Sequence, residues 1–335
     1  MRAFWMAAAL LGFGSGASAD DAWTYRLEMG PPPAPFVRDG STDAAIEASA
    51  VEPLGDGLHA LVAHDKEASL RLMTIADGAQ GEPLASPRFL AAAGPSPKWE
   101  GMARDSEGRI YAIGSHGGKT EAERLAHSVL IRFRVADLAG RPAIDDASVE
   151  TLAVAGSIAG ALEAEGLAPA ALAKRKVEGL AIRERGARRE LVIGLREPDD
   201  RVRAVAADLA SGVAEPALRP LFRFEPGARE GVRCQLTSLE DVPALGGFLV
   251  LTATEDEANA FHGNTLWFVA DGRAEGAEEL ARFEPGLKAE GLAVLEVQED
   301  AGRIKVRLLI TYDNDGHTTG QPSRFQAPTL VREPR

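Results

Sequence analysis

Short runs of alternating hydrophobic and polar residues recur along the chain, and each run ends at a turn. In three places a run opens with Glu-Gly, turns, and returns as a second apolar run that ends in polar residues. These three segments are WEGMARDSEGRIYAIGSHGGK (99–119), VEGLAIRERGARRELVIGLREPD (177–199) and AEGLAVLEVQEDAGRIKVRLLITYDND (289–315). Two diverged copies fit the same template at 46–67 and 239–257. The pattern predicts five related β-hairpins.

The segments that follow the hairpins also resemble one another. Strand-like runs at 128–137, 201–210 and 264–272 are predicted third strands, and 149–156, 223–227 and 282–286 are predicted fourth strands or their exits. A four-stranded unit that recurs every 50–78 residues is typical of a propeller blade. The pattern therefore predicts an all-β propeller, with five blades preferred and six as the alternative. A helical insertion near 157–176 accounts for the longest spacing.

The two ends of the chain predict how the ring closes. Strand-like runs lie at 22–29 and at 326–332. In a propeller an N-terminal strand can complete the blade of the C-terminal strands, so that no edge stays unpaired. The proline-rich stretch at 29–36 disfavours a sixth blade, because proline cannot donate to a strand ladder.

The first 19 residues have the pattern of a secretory signal peptide: one basic residue, a short apolar run, and small residues ending in Ala17-Ser18-Ala19. The apolar run is shorter than the roughly 20 residues that span a bilayer, although an uncleaved anchor is the alternative. We expect a single propeller domain over 20–335, exported to the periplasm or secreted from a bacterium.

Composition narrows the class of partner. The net charge is −13, and removal of Arg2 with the signal peptide makes it −14. An acidic protein of this kind is a poor partner for nucleic acid or an anionic membrane surface. We expect a small-molecule ligand, for which an anionic one is an option, or an envelope protein. The only cysteine, Cys234, can form no intrachain disulfide.

Propeller geometry predicts where the repeated glutamates meet. The start of a blade's first strand and the end of its second strand lie at the same mouth of the central channel. The starts carry Glu47, Glu100, Glu178, Glu240 and Glu290. The ends carry His64, Asp65 and Lys66, then Ser115 and His116, Arg196 and Glu197, Thr254 to Asp256, and Asp313, Asn314 and Asp315. The glycine after three of the glutamates lets neighbouring backbones approach closely.

Carboxylates gathered at one mouth repel each other, by roughly 3 kcal/mol for a pair about 5 Å apart at an effective dielectric constant of about 20. Bound cations, nearby basic residues or raised pKa values can offset this repulsion. The oxygen ligands favour Ca²⁺, with Mg²⁺ or Mn²⁺ as alternatives. Predicted metal ligands are Glu47, Glu100, Glu178, Glu240, Glu290, Asp65 and Asp313. The competing interpretation is that the glutamates tie adjacent blades together.

The sequences of the predicted hairpins resemble those of a known group of proteins. WEGMARDSEGRIYAIGSH, VEGLAIRERGARRELVIGLREP, AEGLAVL and LLITYDND are similar to the phytase-like esterase propellers of bacteria, and more closely to an uncharacterised family of secreted bacterial proteins beside them. The chain lacks the dense Lys/Arg cluster that alkaline β-propeller phytases carry around the mouth, which argues against inositol phosphate hydrolysis. The gluconolactonase-like propellers are a more distant resemblance. It implies a divalent metal held by Glu47, Glu100, Glu178 or Glu290 together with Asp65, Asp313 or Asn314.

Two hypotheses of function follow. The first is a metal-dependent hydrolase of an ester, lactone or phosphoester, in which the metal polarises the substrate. His116 or a carboxylate would then act as the base, and Arg196 or Lys98 would hold an anionic group. The second is a non-catalytic propeller that binds a ligand or a protein and whose glutamates are architectural.

The segment GSHGGKT (114–120) resembles a phosphate-binding loop, but Ile113 stands where the motif needs its first glycine. It also follows a predicted hairpin and does not open a long helix. We therefore expect an ordinary loop here.

Overall fold

The computed structural model describes residues 23–38, 40, 47–138, 141–168, 174–196, 201–209, 215–256, 258, 260–283, 286–313 and 322–335. The predicted signal peptide and residues Glu197, Asn314 and Asp315 lie outside these ranges. Strands dominate the described chain, and they form successive sheets that make an all-β propeller.

The chain begins with β1 (Trp23–Glu28) and β2 (Ala34–Pro35), which belong to the last sheet. The first sheet contains β3 (Val37–Arg38), β4 (Ala48–Pro53), β5 (His59–His64), β6 (Leu70–Thr74) and β7 (Ala79–Leu84), in the order β3-β7-β6-β5-β4. All its pairings are antiparallel except that of β3 with β7. Helix α1 (Pro87–Ala93) leads to the second sheet; Ser86 caps its N-terminus by accepting from the Phe89 N–H.

The second and third sheets follow in the same way. The second contains β8 (Trp99–Arg104), β9 (Arg109–Gly114), β10 (Leu130–Leu138), β11 (Arg141–Ile144) and β12 (Glu150–Thr151), with α2 (Glu121–Ala126) between β9 and β10 and a short 3₁₀ turn at Asp146–Ser148. Helix α3 (Ala155–Ala164) precedes the third sheet, which contains β13 (Lys176–Arg185), β14 (Arg188–Arg196), β15 (Val202–Asp208) and β16 (Arg219–Phe224).

The fourth and fifth sheets complete the propeller. The fourth contains β17 (Ala228–Arg229), β18 (Val232–Val242), a 3₁₀ turn at Pro243–Leu245, β19 (Gly247–Glu255), β20 (Phe261–Ala270) and β21 (Glu278–Phe283). The fifth contains β22 (Lys288–Asp300), β23 (Arg303–Asp313), β24 (Arg324–Gln326) and β25 (Thr329–Pro334), joined by β1 and β2.

The N-terminal strand closes the ring as the sequence predicted. β1 pairs antiparallel with β25, from Trp23 opposite Pro334 to Glu28 opposite Thr329. β2 pairs with β24 in the same sheet. The first and last described strands therefore share one sheet, and the edge of β25 is paired instead of open.

The inner strand of each sheet forms a closed ring around the propeller axis. The inner strands are β4, β8, β13, β18 and β22; each contacts the next, and β22 contacts β4. We call the end of the ring at which these strands begin the channel mouth. Apolar clusters fill the spaces between neighbouring sheets, which explains why the two innermost strands of each sheet are buried on both faces over much of their length.

A β-bulge recurs at the same place in every inner strand. The bulged positions are Ser49, Glu100, Glu178, Thr237 and Glu290. Directly after a bulged glutamate, the chain packs on the next inner strand: a Cβ on Gly101 would lie 2.8 Å from the backbone nitrogen of Leu180. A Cβ on Gly179 would lie 3.0 Å from that of Leu239. The predicted role of these glycines, close backbone approach, is confirmed.

The predicted fourth strand and helical insertion of the second unit need correction. Only Glu150–Thr151 of the run 149–156 is strand, and helix α3 already begins at Ala155 and ends at Ala164. Ile158 and Leu162 of α3 pack into the apolar cluster between the second and third sheets. The apolar residues in this part of the chain therefore belong largely to α3, which packs against the second and third sheets. Among the helices that the structure describes, none combines the length and apolar character needed to cross a membrane.

Candidate functional site

The bulged residues place carboxylates at the channel mouth in three of the five sheets. Glu100, Glu178 and Glu290 occupy equivalent bulges and are buried. The same position holds Ser49 in β4 and Thr237 in β18. The site is therefore built from three glutamates and two hydroxyl side chains.

A basic residue stands two positions before each of these glutamates. The three are Lys98, Lys176 and Lys288, which makes the pattern Lys-x-Glu-Gly. Residues two apart on a strand project to the same face, and the bulge changes the direction of the second one slightly. Each lysine therefore lies where its inner strand begins at the mouth, beside the glutamate of that strand.

Lys176 joins two sheets. Its Nζ lies 2.6 Å from Oε1 of Glu178 and 3.2 Å from Oε1 of Glu100 in the preceding sheet. Arg196, at the end of β14, places Nη1 3.3 Å from the same oxygen of Glu178. Burial alone raises the pKa of Glu178, but the charges of Lys176 and Arg196 outweigh burial and hold the pKa below its usual value.

Glu100 has the opposite balance. Burial, followed by the charge of Glu178, raises the pKa of Glu100 well above its usual range, while Lys176 lowers it only in part. Glu290 behaves similarly: burial raises its pKa, and the charge of Lys288 does not fully compensate. Glu100 thus carries much of the repulsion that the sequence predicted at this mouth.

Lys288 repeats the arrangement of Lys176 at another junction. Its Nζ lies 2.7 Å from Oε1 of Glu290 and 3.0 Å from Oε2 of Glu255, which ends β19 in the preceding sheet. Burial works against the charge of Lys288, yet the two carboxylates raise its pKa well above the usual value. The lysine is therefore a permanent cation between the fourth and fifth sheets.

The first sheet contributes more exposed pairs. Lys98 of the second sheet lies 3.5 Å from Oδ2 of Asp65. Glu47 lies just before β4 and pairs with the largely exposed Lys66, whose Nζ is 2.9 Å from Oε2. Glu47 occupies the position equivalent to the lysines, two residues before Ser49. It is at the mouth, but it is not the structural equivalent of Glu100.

Glu240 is not part of this group, contrary to the sequence prediction. The bulge of β18 is at Thr237, so Glu240 lies three residues further along, about 10 Å at the rise of a strand. It corresponds to Glu52 of β4, and burial followed by the charge of Glu52 raises the pKa of Glu240 well above its usual value. The prediction was wrong because the glutamate of the segment LED (239–241) was matched to the glutamate of the Glu-Gly repeats, although no bulge occurs at Glu240.

Asp313 is buried at the end of β23, opposite Lys288 in the strand register. Its Oδ1 accepts a hydrogen bond of 3.4 Å from the Ser323 hydroxyl. Asp313 is thus on the rim near Lys288 and Glu290, and its neighbours Asn314 and Asp315 lie outside the described residues.

His116 is fully buried behind the mouth. Among the described residues neither ring nitrogen has a hydrogen-bond partner. Burial, and then the charge of Arg175, lower the pKa of His116 to about 3. An imidazole with this pKa is neutral at physiological pH and a weak proton acceptor, whereas a general base works best with a pKa near the operating pH. The arrangement does not favour the predicted role of His116 as a base.

Several carboxylates at the mouth are already ion-paired with basic side chains. The carboxylate oxygens of Glu178, Glu290 and Glu47 are held by ammonium or guanidinium groups within hydrogen-bonding distance. Within the described ranges no three His, Cys, Asp or Glu side chains are grouped closely enough to hold a metal ion. A cation there would face Lys176, Lys288 and Arg196. Calcium binding stays a prediction from the sequence.

A cleft opens beside the mouth between the second and third sheets. It has a volume of about 1070 Å³ and is bordered by the starts of β8 and β13, the loop after β9, and helix α2. Backbone contact holds the two sheets together at its base, since the Val177 N–H donates to the Ser115 carbonyl at 2.7 Å.

Sequence reasoning missed Lys176 and Lys288, each of which contacts two carboxylates at the mouth. The signal was present, because Lys-x-Glu-Gly occurs three times, at 98–101, 176–179 and 288–291. The residue between the lysine and the glutamate differs each time, so the lysine looks separate from the Glu-Gly word. Ion pairs between sheets could not be inferred without the bulge register.

No protein-family model matches the chain, and no curated protein matches it. Solved structures do resemble it. A gluconolactonase from Xanthomonas campestris has a TM-score of 0.40 and 10% identity, over 92% of this chain and 97% of that one. A GH62 hydrolase in complex with xylotriose has a TM-score of 0.46 and 9% identity, over 92% and 97%. The Dos1 propeller has a TM-score of 0.37 and 10% identity, over 80% of this chain and 55% of that one.

Proposed function

We propose that this protein is a non-catalytic binding propeller whose glutamate ring is architectural and whose channel mouth faces a small-molecule ligand. The single observation that carries the proposal is the position of Lys176 between Glu100 and Glu178. A carboxylate that is ion-paired across a sheet junction ties the sheets together. It is not a free ligand for a catalytic metal.

The balance of charge supports the proposal. Lys288 lies between Glu290 and Glu255, so a lysine shared by two carboxylates occurs at two of the junctions between neighbouring sheets. Removing one partner of a buried ion pair costs about 3–5 kcal/mol, because it leaves an uncompensated charge. Such pairs set the register of the sheets around the ring more effectively than exposed pairs do.

The competing hypothesis is the metal-dependent hydrolase of an ester, lactone or phosphoester. It needs carboxylates that a Ca²⁺ ion can take from their lysines, and a base other than a neutral, buried His116. Arg196 is ion-paired with Glu178, so binding an anionic substrate group through Arg196 would compete with that ion pair.

Calcium calorimetry on residues 20–335 separates the two, beside Glu178→Gln and Glu100→Gln. We expect no stoichiometric Ca²⁺ binding in the unaltered protein and a loss of stability in Glu178→Gln. Stoichiometric binding that disappears in either variant would make the mouth a metal site. A parallel assay with aryl esters, lactones and phosphoesters should show no turnover, and calcium-dependent turnover would establish the hydrolase.

Export completes the proposal. The basis is the signal-peptide pattern of the first 19 residues. Expression of the full chain in a bacterium, followed by N-terminal sequencing of the periplasmic fraction, should give a chain that starts at Asp20. Retention of the intact N-terminus in the membrane fraction would indicate the uncleaved anchor instead.

A further inference from the structure

The cleft between the second and third sheets collects basic side chains from three separate segments. We call it the basic cleft. Its charged lining residues are Lys98, Lys119, Lys174, Arg175, Lys176 and Glu123. The expectation that the mouth lacks a dense Lys/Arg cluster does not hold on this side. The sequence hides the cluster because Lys98 and Lys119 reach it from the two ends of the second sheet's hairpin.

The one carboxylate of the lining is already engaged. Glu123 Oε2 accepts hydrogen bonds from the backbone N–H groups of Lys119 at 2.7 Å and Thr120 at 3.1 Å. These N–H groups belong to the GSHGGKT segment, and because Glu123 occupies them they are not available to a phosphate group. The segment is therefore an ordinary loop, as the sequence predicted. The charge of the cleft therefore comes from its side chains.

Two of the lysines in the cleft are accessible to a ligand. Lys119 and Lys174 are exposed, and within the described residues neither forms an ion pair. Lys98 is held only loosely, 3.5 Å from Asp65. Lys119 and Lys174 therefore add positive charge to the cleft beyond its ion-paired lysines, although the whole chain is acidic.

An unsatisfied polar side chain lies directly behind the cleft wall. Ser115 and Gly117 line the cleft, and His116 between them is 1% exposed with both ring nitrogens unpartnered among the described residues. A buried imidazole usually has a hydrogen-bond partner, and a ring without one needs a specific reason, such as a bound water or ion. The neutral ring offers one donor and one acceptor.

The backbone is unusual at the same place. His116 and Lys98 have φ values of 52° and 50°, two of the four non-glycine residues with positive φ in the described chain. Non-glycine residues in this region cluster at binding and active sites, where the surroundings hold them. Here Lys98 lines the cleft, and His116 lies between two of its lining residues, Ser115 and Gly117.

We propose that the basic cleft binds a small oxyanion with at least two negative charges, of the phosphate type, through Lys119, Lys174 and Lys98, with His116 as the buried hydrogen-bonding group behind them. The inference rests on the proposed binding function and names a ligand class for the cleft beside the mouth. The cleft volume is suited to a small molecule. A nucleic acid strand would meet the acidic remainder of the surface.

The test is calorimetry of inorganic phosphate binding to residues 20–335 at low ionic strength, with sodium chloride at matched ionic strength as the reference anion. The informative variant is the double change Lys119→Ala and Lys174→Ala, whose side chains are exposed and form no ion pair in the described chain, so the fold should survive. The matched control is Lys305→Ala with Arg307→Ala, which removes the same charge from exposed positions on β23.

We expect phosphate to bind the unaltered protein and the control alike, and to bind the cleft variant at least tenfold more weakly. The ring resonances of His116 should shift when phosphate is added to the unaltered protein and stay in place in the cleft variant. No phosphate binding, or equal binding by the cleft variant, would overturn the assignment. Turnover of a phosphoester would overturn the non-catalytic function instead, and leaves the phosphate affinity as a separate result.

Discussion

Lys176 places its ammonium nitrogen 3.2 Å from Oε1 of Glu100, although the two residues belong to different sheets of the propeller. The same nitrogen lies 2.6 Å from Glu178 on its own strand. Two inner strands therefore share one cation at the channel mouth. The stability of the ring depends on this shared cation, on the close packing beneath it and on the buried titratable groups around it.

Replacement of Lys176 should destabilise the fold more than replacement of its repeat equivalent Lys98. Lys176→Ala leaves the buried Glu100 without its cation and Glu178 with Arg196 alone, and we expect a loss of about 3–5 kcal/mol in the free energy of unfolding. Lys98→Ala breaks one looser pair with the partly exposed Asp65, which is worth about 1 kcal/mol or less. Urea denaturation of both variants measures the difference. Equal losses would show that the shared cation has no special structural role.

The two ring glutamates should respond differently to neutralisation. The pKa of Glu178 lies below its usual value, so this residue is ionised at pH 7, and Glu178→Gln removes a charge that Lys176 and Arg196 need. The pKa of Glu100 is raised well above its usual range by burial and by Glu178, so Glu100→Gln replaces a group that is already readily protonated. We expect Glu178→Gln to be clearly the less stable variant in urea at pH 7. The reverse order would contradict the assigned ion pairs.

The close approach of the inner strands predicts a strong effect of an added methyl group. A Cβ at Gly101 would lie 2.8 Å from the Leu180 backbone nitrogen and 3.0 Å from the Gly179 carbonyl carbon, so Gly101→Ala should cost about 1–3 kcal/mol or more. Gly160 is the control, since it lies inside α3 and an added Cβ there would have nothing within 4 Å. Gly160→Ala should stabilise by about 0.5–1 kcal/mol through helix propensity. Thermal unfolding should shift in opposite directions.

Glu52, at the far end of the ring from the mouth, makes stability fall as pH rises. Burial raises the pKa of Glu52 from 4.5 to about 8, against the lowering effect of Arg104. Between these two values the folded state binds more protons than the unfolded state, so stability decreases with pH and levels off above pH 8. Glu52→Gln removes this dependence. It should therefore stabilise the protein at about pH 9, by an amount on the order of a few kcal/mol, and change little at about pH 4. Equal effects at both pH values would show that Glu52 is ionised normally.

The pKa values of His116 and His262 should be shifted in opposite directions. Burial and Arg175 lower the pKa of His116 to about 3, so its ring signals should not move between pH 5 and 8. The hydrogen bonds of His262 to Asp256 and Glu230 raise its pKa above 6.5. Proton NMR of the two rings measures both. The depressed pKa of His116 also means that its contribution to stability is present above pH 6.5 and is lost as pH falls towards 3. A His116 signal that titrates near pH 6.5 would mean that the ring is open to water.

The five-unit pattern of hairpins, the all-β class and the closure by an N-terminal strand were determined by the sequence alone. Alternation of apolar and polar residues, turn residues such as Asp105 to Gly108, and the repeated Glu-Gly segment act over a few residues, so local chemistry decides the hairpins and the all-β class. The closure was predictable because a strand-like run remained at each end of the repeats. Asp105 shows this directly, because its Oδ1 accepts from the N–H groups of Glu107 and Arg109 within the turn.

Only the tertiary structure decided which repeated residues meet. A bulge shifts the strand by one residue, so Thr237 instead of Glu240 joins Glu100, and Ser49 instead of Glu47. Contacts between sheets, such as Lys176 with Glu100 and Lys288 with Glu255, join residues that are tens of positions apart. Electrostatic partners and burial depend on distances in space, and these determine whether a carboxylate is a metal ligand or a tie between sheets.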